Sequence, residues 1–137
     1  MSRYHRAEGL TFDNGVLRVR LVELLEGEED GLIGRPLQVL PGSRLFDVVI
    51  EQVGHVQIRP EPMGELSTHA KRLREFLYRE HDTTFLAQHS FGAETFASPR
   101  LPHGTSVVHY VIYAENYVVD VLAAREPTIT ELKRAAV

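Results

Sequence analysis

The chain has 137 residues, of which 43% are hydrophobic and 25% charged, and 15 Lys and Arg against 19 Asp and Glu give a net charge of -4. These values are typical of one folded domain, which we expect to cover residues 1–137, and they argue against disorder. The chain has no cysteine, which excludes disulfides, thiolate metal sites and a cysteine nucleophile, and its acidic balance disfavours nucleic-acid binding.

The first predicted element is a β-hairpin. Leu10 and Phe12 alternate with polar residues, and residues 16–21 alternate again after the sequence Asp13-Asn14-Gly15. Asn-Gly accepts the positive φ angles of a two-residue hairpin turn. We therefore predict two paired strands at the start of the chain.

Short strands are predicted next. An acidic loop over residues 26–31 precedes a short strand at 37–40. Residues 44–53 and 55–59 are rich in apolar and β-branched side chains, which predicts two more strands with a turn or bulge at Gly54 between them.

One main amphipathic helix is predicted over residues 65–80. Its apolar residues recur at the spacing of a single helical face, and they are Leu66, Ala70, Leu73 and Leu77. Asp82 is predicted to cap a second, shorter helix that runs to His89. Residues 92–104 contain two prolines and are predicted to form a long loop, the first place to look for a binding surface.

The closing part of the chain predicts a second hairpin. Residues 107–114 and 117–124 are rich in β-branched and aromatic residues, with Glu115-Asn116 between them. Both faces are largely apolar, so we expect this pair to be central in its sheet and covered on both sides. Thr128, after Pro127, is predicted to cap a last helix that contains Leu132.

These elements predict an α+β fold. We expect a mostly antiparallel sheet of about five to six strands with the 65–80 helix packed on one face. No apolar stretch of the sequence is long and uninterrupted enough to span a bilayer, and no apolar segment follows the basic start of the chain as in a secretory signal. The expected protein is therefore soluble and cytoplasmic.

One polar pair stands out in the closing hairpin. If Glu115-Asn116 is a two-residue turn, Val111 faces Asp120 and His109 faces Leu122, which makes His109 and Asp120 diagonal neighbours roughly 7 Å apart at the backbone. A carboxylate beside an imidazole orients general-base histidines. We favour a structural interpretation, in which His109 only pairs with the charge of Asp120 inside an apolar strand, over a functional one.

Other histidines do not form a recognisable metal site. Glu65 and His69 are one helical turn apart, but three or four convergent ligands at zinc-site spacings are missing. We expect no metal and no cofactor. The tyrosines of the closing hairpin suit a core or a protein interface, and they are Tyr110, Tyr113 and Tyr117.

The preferred function is a non-catalytic protein-binding or regulatory module, and a small immunity or regulatory protein of the bacterial type is one version. The partner would be another protein, and a homodimer is an open alternative. The first competing hypothesis is a small hydrolase or ligand-binding enzyme in which His109 and Asp120 act as catalytic residues together with His103. The second is nucleic-acid binding through the basic side chains of the predicted 65–80 helix.

Overall fold

The computed structural model of the protein describes residues 5–27, 36–60, 86–88, 101–102 and 105–132. Every regular element within these residues is a β-strand. The strands are β1 (His5–Asp13), β2 (Val16–Glu23), β3 (Leu25–Glu26), β4 (Leu37–Gln38), β5 (Leu45–Ile50), β6 (Val53–Arg59), β7 (Leu86–Gln88), β8 (Val108–Tyr113), β9 (Val118–Ala123) and β10 (Thr128–Leu132).

The strands form two four-stranded sheets and one two-stranded ribbon. The first sheet has the order β1-β2-β5-β10 and the second the order β6-β9-β8-β7, while β3 pairs with β4 alone. All pairings are antiparallel. The predicted α+β class is therefore wrong for the described residues, which are all β, and the single predicted sheet is in fact two four-stranded sheets and one two-stranded sheet.

The opening hairpin confirms its prediction. Asn14 and Gly15 have φ angles of 52° and 75°, the left-handed values that a primed two-residue turn requires. Asp13 pairs with Val16 at the turn, and the ladder continues to His5 opposite Glu23. The turn also supports the next part of the fold, because the Gly15 carbonyl accepts a hydrogen bond from the amide of Val53 at 2.9 Å.

Two segments that were predicted as helices contain strands in the part that the structure describes. The segment from Asp82 to His89 contains strand β7, whose Leu86 pairs with Ile112 of β8. The segment from Thr128 to Leu132 forms strand β10 along β5, with Ile129 in the core. In both places an unpaired sheet edge offers backbone partners, and this long-range pairing outweighs a local capping residue.

The main predicted helix, residues 65–80, lies outside the described residues. Most of the predicted 92–104 loop lies outside them too. The predicted break at Gly54 is a bulge within β6, where the register shifts between Val53 and His55. Among the described residues, no helix is long and apolar enough to cross a bilayer.

One core lies between the two four-stranded sheets. Strands β2 and β5 of the first sheet contribute fully buried side chains that include Leu17, Phe46 and Val48. The second sheet contributes alternate residues of β8 and β9, among them Ile112 and Val119. Burial of this apolar surface is the main favourable term that holds the sheets together.

Candidate functional site

The closing hairpin has the predicted register. Val111 pairs with Asp120, and His109 pairs with Leu122. The amide of Ala114 donates to the carbonyl of Tyr117 at 3.0 Å across the Glu115-Asn116 turn. His109 and Asp120 are diagonal neighbours, as expected, and their side chains meet with 2.8 Å between Nε2 and Oδ1.

A third residue, Arg59, completes this cluster. Its Nε donates to Asp120 Oδ2 at 2.5 Å, so each oxygen of the carboxylate has a nitrogen partner. The register explains the approach, since β6 pairs with β9 and Arg59 lies opposite Val118, two residues before Asp120. The three side chains form a diagonal across the outer face of the second sheet, from β6 over β9 to β8.

The environment keeps the carboxylate charged. Burial raises the pKa of Asp120, but the hydrogen bonds from His109 and Arg59, together with the positive charge of Arg59, outweigh burial and hold the pKa below its ordinary value. The side chain of Asp120 is 16% exposed, and those of His109 and Arg59 are 26% and 35% exposed. The arrangement is an ion-paired, half-buried network in which an ionised carboxylate orients an imidazole.

The face around this network is mostly closed. Val111, Tyr113 and Val118 share the face and are at most 3% exposed. On the β6 side, His55 and Gln57 are exposed. Asp120 therefore lies at the boundary between an apolar, buried part of the sheet face and a polar edge. Tyr110 on the inner face is also only 2% exposed, whereas Tyr117 is partly buried.

Sequence reasoning missed Arg59. Nothing local marks it, because its link to Asp120 spans 61 positions in the chain and depends on the pairing of β6 with β9. The third predicted catalytic residue, His103, lies outside the described residues, and so do Glu65 and His69. Within the described part of the chain, no group of three or more His, Asp or Glu side chains could hold a metal ion.

A second polar cluster lies at one end of the first sheet. His5 is 1% exposed and Glu23 5%, and Glu23 Oε2 accepts from Arg44 Nε at 3.0 Å and from its Nη2 at 2.8 Å. The ring of His5 meets Phe46 edge to face at 5.8 Å between centroids. Burial lowers the pKa of His5 to about 4, with Glu23 opposing and Arg44 reinforcing the change. The imidazole is therefore neutral at pH 7, and this cluster supports the fold.

The outer face of the first sheet carries an open groove of about 420 Å³, lined by Glu8, Gly9, Leu10, Thr11, Arg18, Arg20 and Asp47. A β-bulge between Ala7 and Gly9 interrupts the pairing of β1 with β2 here. Gly9 has no side chain, and a Cβ at this position would meet nothing within 4 Å. The groove therefore exists because the sheet face lacks one side chain in the row of Arg20.

The two arginines of the groove differ in their partners. Arg20 donates from Nε and Nη2 to the two oxygens of Asp47 at 2.8 and 3.1 Å. These hydrogen bonds, the charge of Asp47 and, more weakly, that of Glu8 raise the pKa of Arg20. The side chain of Arg18 makes no hydrogen bond or ion pair in the part of the chain that the structure describes. Its neighbours in the row are Thr11 and Val49. Arg18 is one of the polar residues of the alternating segment 16–21, but the sequence did not predict the groove.

Comparison of the chain with protein-family models, with curated proteins and with solved structures finds no match.

Proposed function

We propose that this chain is a non-catalytic binding module, and that the groove on the outer face of its first sheet holds a segment of another protein. The observation that carries the proposal is the exposed Arg18 beside the empty position over Gly9. Its guanidinium has five donors and no partner among the described residues. The groove volume of about 420 Å³ falls in the range of about 300–1,000 Å³ typical of ligand clefts.

The shape of the groove favours a peptide segment as the ligand. The lining comes from three adjacent strands, β1, β2 and β5, and the groove is open to solvent. An extended segment can lie along such a surface and place single side chains into it. We also propose the cytoplasm as the location, from the cysteine-free composition.

Site-specific photocrosslinking tests this function. A photoreactive amino acid in place of Thr11 would be compared in the source cell with one in place of Gln57, which is exposed on the second sheet. We expect one defined protein to crosslink at position 11, to be absent at position 57, and to bind again when both proteins are purified.

A matched pair of variants guards against chance capture. Gly9→Leu fills the groove without backbone strain, since Gly9 is not among the positive-φ residues and has open space at its Cβ. Thr128→Leu adds a similar side chain at an exposed position of β10 that does not line the groove. The proposal requires that Gly9→Leu abolish the crosslink and that Thr128→Leu leave it intact; identical patterns for the two variants would rule it out.

The second candidate function is acid–base catalysis at His109 and Asp120. The contact of 2.8 Å between His109 Nε2 and Asp120 Oδ1 favours it, because an ionised carboxylate is the usual orienting group of a general base. It ranks second because the other carboxylate oxygen is engaged by Arg59, as in a structural ion-pair network. Hydrolysis of a panel of activated esters would test this candidate, with loss of turnover in His109→Gln as the supporting result.

A further inference from the structure

We infer that the groove over Gly9 recognises an acidic side chain of an extended peptide, with Arg18 as the residue that binds its carboxylate. This inference rests on the proposed binding function and names the chemistry of the occupant. The side chains concerned form two neighbouring rows on the outer face. One row contains Thr11 and Arg18, and the other contains Gly9, Arg20 and Asp47.

The direction of the Arg20–Asp47 pair leaves the groove open. The register places Gly9 on one side of Arg20 and Asp47 on the other. Both oxygens of Asp47 accept from the Arg20 guanidinium, so the charge of Arg20 is matched within the row. The position above Gly9 therefore has room for a ligand atom, and the adjacent Arg18 supplies the charge without an intramolecular partner among the described residues.

The charge of the lining selects a monoanion. Two arginines and two acidic residues line the groove, so their formal charges cancel. A carboxylate bound to Arg18 leaves the site with a net charge of about -1, whereas a phosphate close to its dianionic state would leave a net charge of about -2. A polyanion such as a nucleic acid would meet Glu8 and Asp47 as well, which disfavours it. The Thr11 hydroxyl, next to Arg18, is a further donor for a carboxylate oxygen.

An acidic side chain fits better than a chain terminus. Terminal carboxylates are usually bound by consecutive backbone amides in a nest. The left-handed residues of the described chain are Asn14, Gly15 and Gln52, and none of them lines the groove. The donors that do line it are side chains on regular strands, which suits a side chain that enters from an extended segment passing over the sheet.

Blocked synthetic peptides test the inference. The probes are Ac-Val-Thr-Glu-Thr-Val-NH₂, the same peptide with Gln in place of Glu, and the same peptide with phosphoserine in place of Glu. Titrations followed by ¹⁵N NMR would monitor the Arg18 side-chain signal and the amides of Gly9 and Thr11. We expect the Glu peptide to shift these signals and the Gln peptide to bind at least about tenfold more weakly, as for loss of a charge-assisted bidentate contact. Affinity for the Glu peptide should fall with added salt.

Two variants separate recognition of charge from simple filling of the groove. Arg18→Gln should weaken the Glu peptide at least about tenfold. Asp47→Asn releases Arg20 from its intramolecular pair and should tighten the same peptide several-fold, an effect that a purely steric groove would not show. Each variant is first checked by its amide spectrum for an unchanged fold.

Three outcomes would overturn the inference: equal binding of the Glu and Gln peptides, phosphoserine binding more than tenfold tighter than Glu, or weaker binding by Asp47→Asn. If any of these occurs while the crosslink at position 11 persists, the binding function stands and the carboxylate assignment falls. If the crosslink itself is absent, the proposed function fails.

Discussion

The two sheets each place an arginine–aspartate pair on the outer face, but in different surroundings. On the first sheet, Arg20 and Asp47 are 48% and 28% exposed. On the second, Arg59 and Asp120 are 35% and 16% exposed, and Asp120 has His109 as an additional partner. Water can replace the contacts of the first pair but only partly those of the second, so the same chemistry should have different energetic consequences.

The two pairs also differ in what lies beside them. The exposed pair borders a groove in which a neighbouring arginine lacks a partner among the described residues. The half-buried pair is surrounded by apolar side chains such as Val111 and Val118. We therefore propose a binding role for the first outer face and a structural role for the polar network of the second. Substitutions on the two outer faces can test this division.

The largest effect is expected from acid, through His5. The pKa of His5 is about 4 in the folded chain against an ordinary 6.5, so between these values the unfolded chain binds a proton that the folded chain does not. Stability from this group is fully present above pH 6.5 and is lost as the pH falls towards 4, by about 3 kcal/mol at about 1.4 kcal/mol per pH unit. Urea unfolding at a series of pH values measures it.

The variant His5→Phe is the control for this prediction. It keeps a ring against Phe46 but does not titrate, so the loss of stability between pH 6.5 and 4 should shrink markedly. If the free energy of unfolding of His5→Phe fell as steeply with pH as that of the wild type, His5 would not be the group responsible. Asp120 acts in a different pH range, because its lowered pKa means that its contribution to stability is lost only below the ordinary 3.8. That contribution is present above 3.8 and is lost as the pH falls through the folded-state pKa.

Asp120→Asn is expected to be the most destabilising of the outer-face substitutions. It removes the carboxylate that pairs with the Arg59 guanidinium. The amide N–H group of the new Asn must also face an N–H donor of either Arg59 or His109. The cost should be about 2 kcal/mol, within the usual penalty for breaking a partly buried charged hydrogen bond. Chemical denaturation at pH 7 measures the free energy of unfolding. A cost near zero would remove the energetic contrast between the two sheets.

Asn116→Ala should have a smaller effect, at the junction of the two sheets. The Asn116 side chain accepts from the Ala7 amide at 3.0 Å and donates to the Ala7 carbonyl at 3.1 Å, so it pairs with β1 as a neighbouring strand would. Loss of both bonds should cost about 1 kcal/mol. Hydrogen exchange should then become faster at the Ala7 amide and remain unchanged at the Val19 amide. Equal acceleration at both amides would mean that β1 and β2 open together and not separately.

The smallest effect on stability is expected for Asp47→Asn, the matched substitution on the first sheet. Its pair with Arg20 lies in solvent, where ion pairs contribute little. The thermal midpoint should stay within experimental error of the wild type, while binding of the acidic peptide becomes tighter. A fall in the midpoint as large as that of Asp120→Asn would show that the two faces are not different in kind.

Several features followed from local sequence alone. Asp13-Asn14-Gly15 determined the first hairpin, because few other residue pairs accept two successive left-handed conformations. The two-residue turn at Glu115-Asn116 determined the second, and with it the contact between His109 and Asp120. In both hairpins the partners are close in the chain, so the turn sets the register of every later pair.

Only the tertiary structure decided the remaining features. Thr128–Leu132 and Leu86–Gln88 became strands because β5 and β8 offered free edges, and a short segment has too little intrinsic preference to resist such pairing. Arg59 joined Asp120 across 61 positions, and Gly9 opened a groove beside Arg18 only once β1, β2 and β5 lay side by side. The physical reason is the same in each case, since these contacts depend on which distant strands meet, and local propensity carries no information about that.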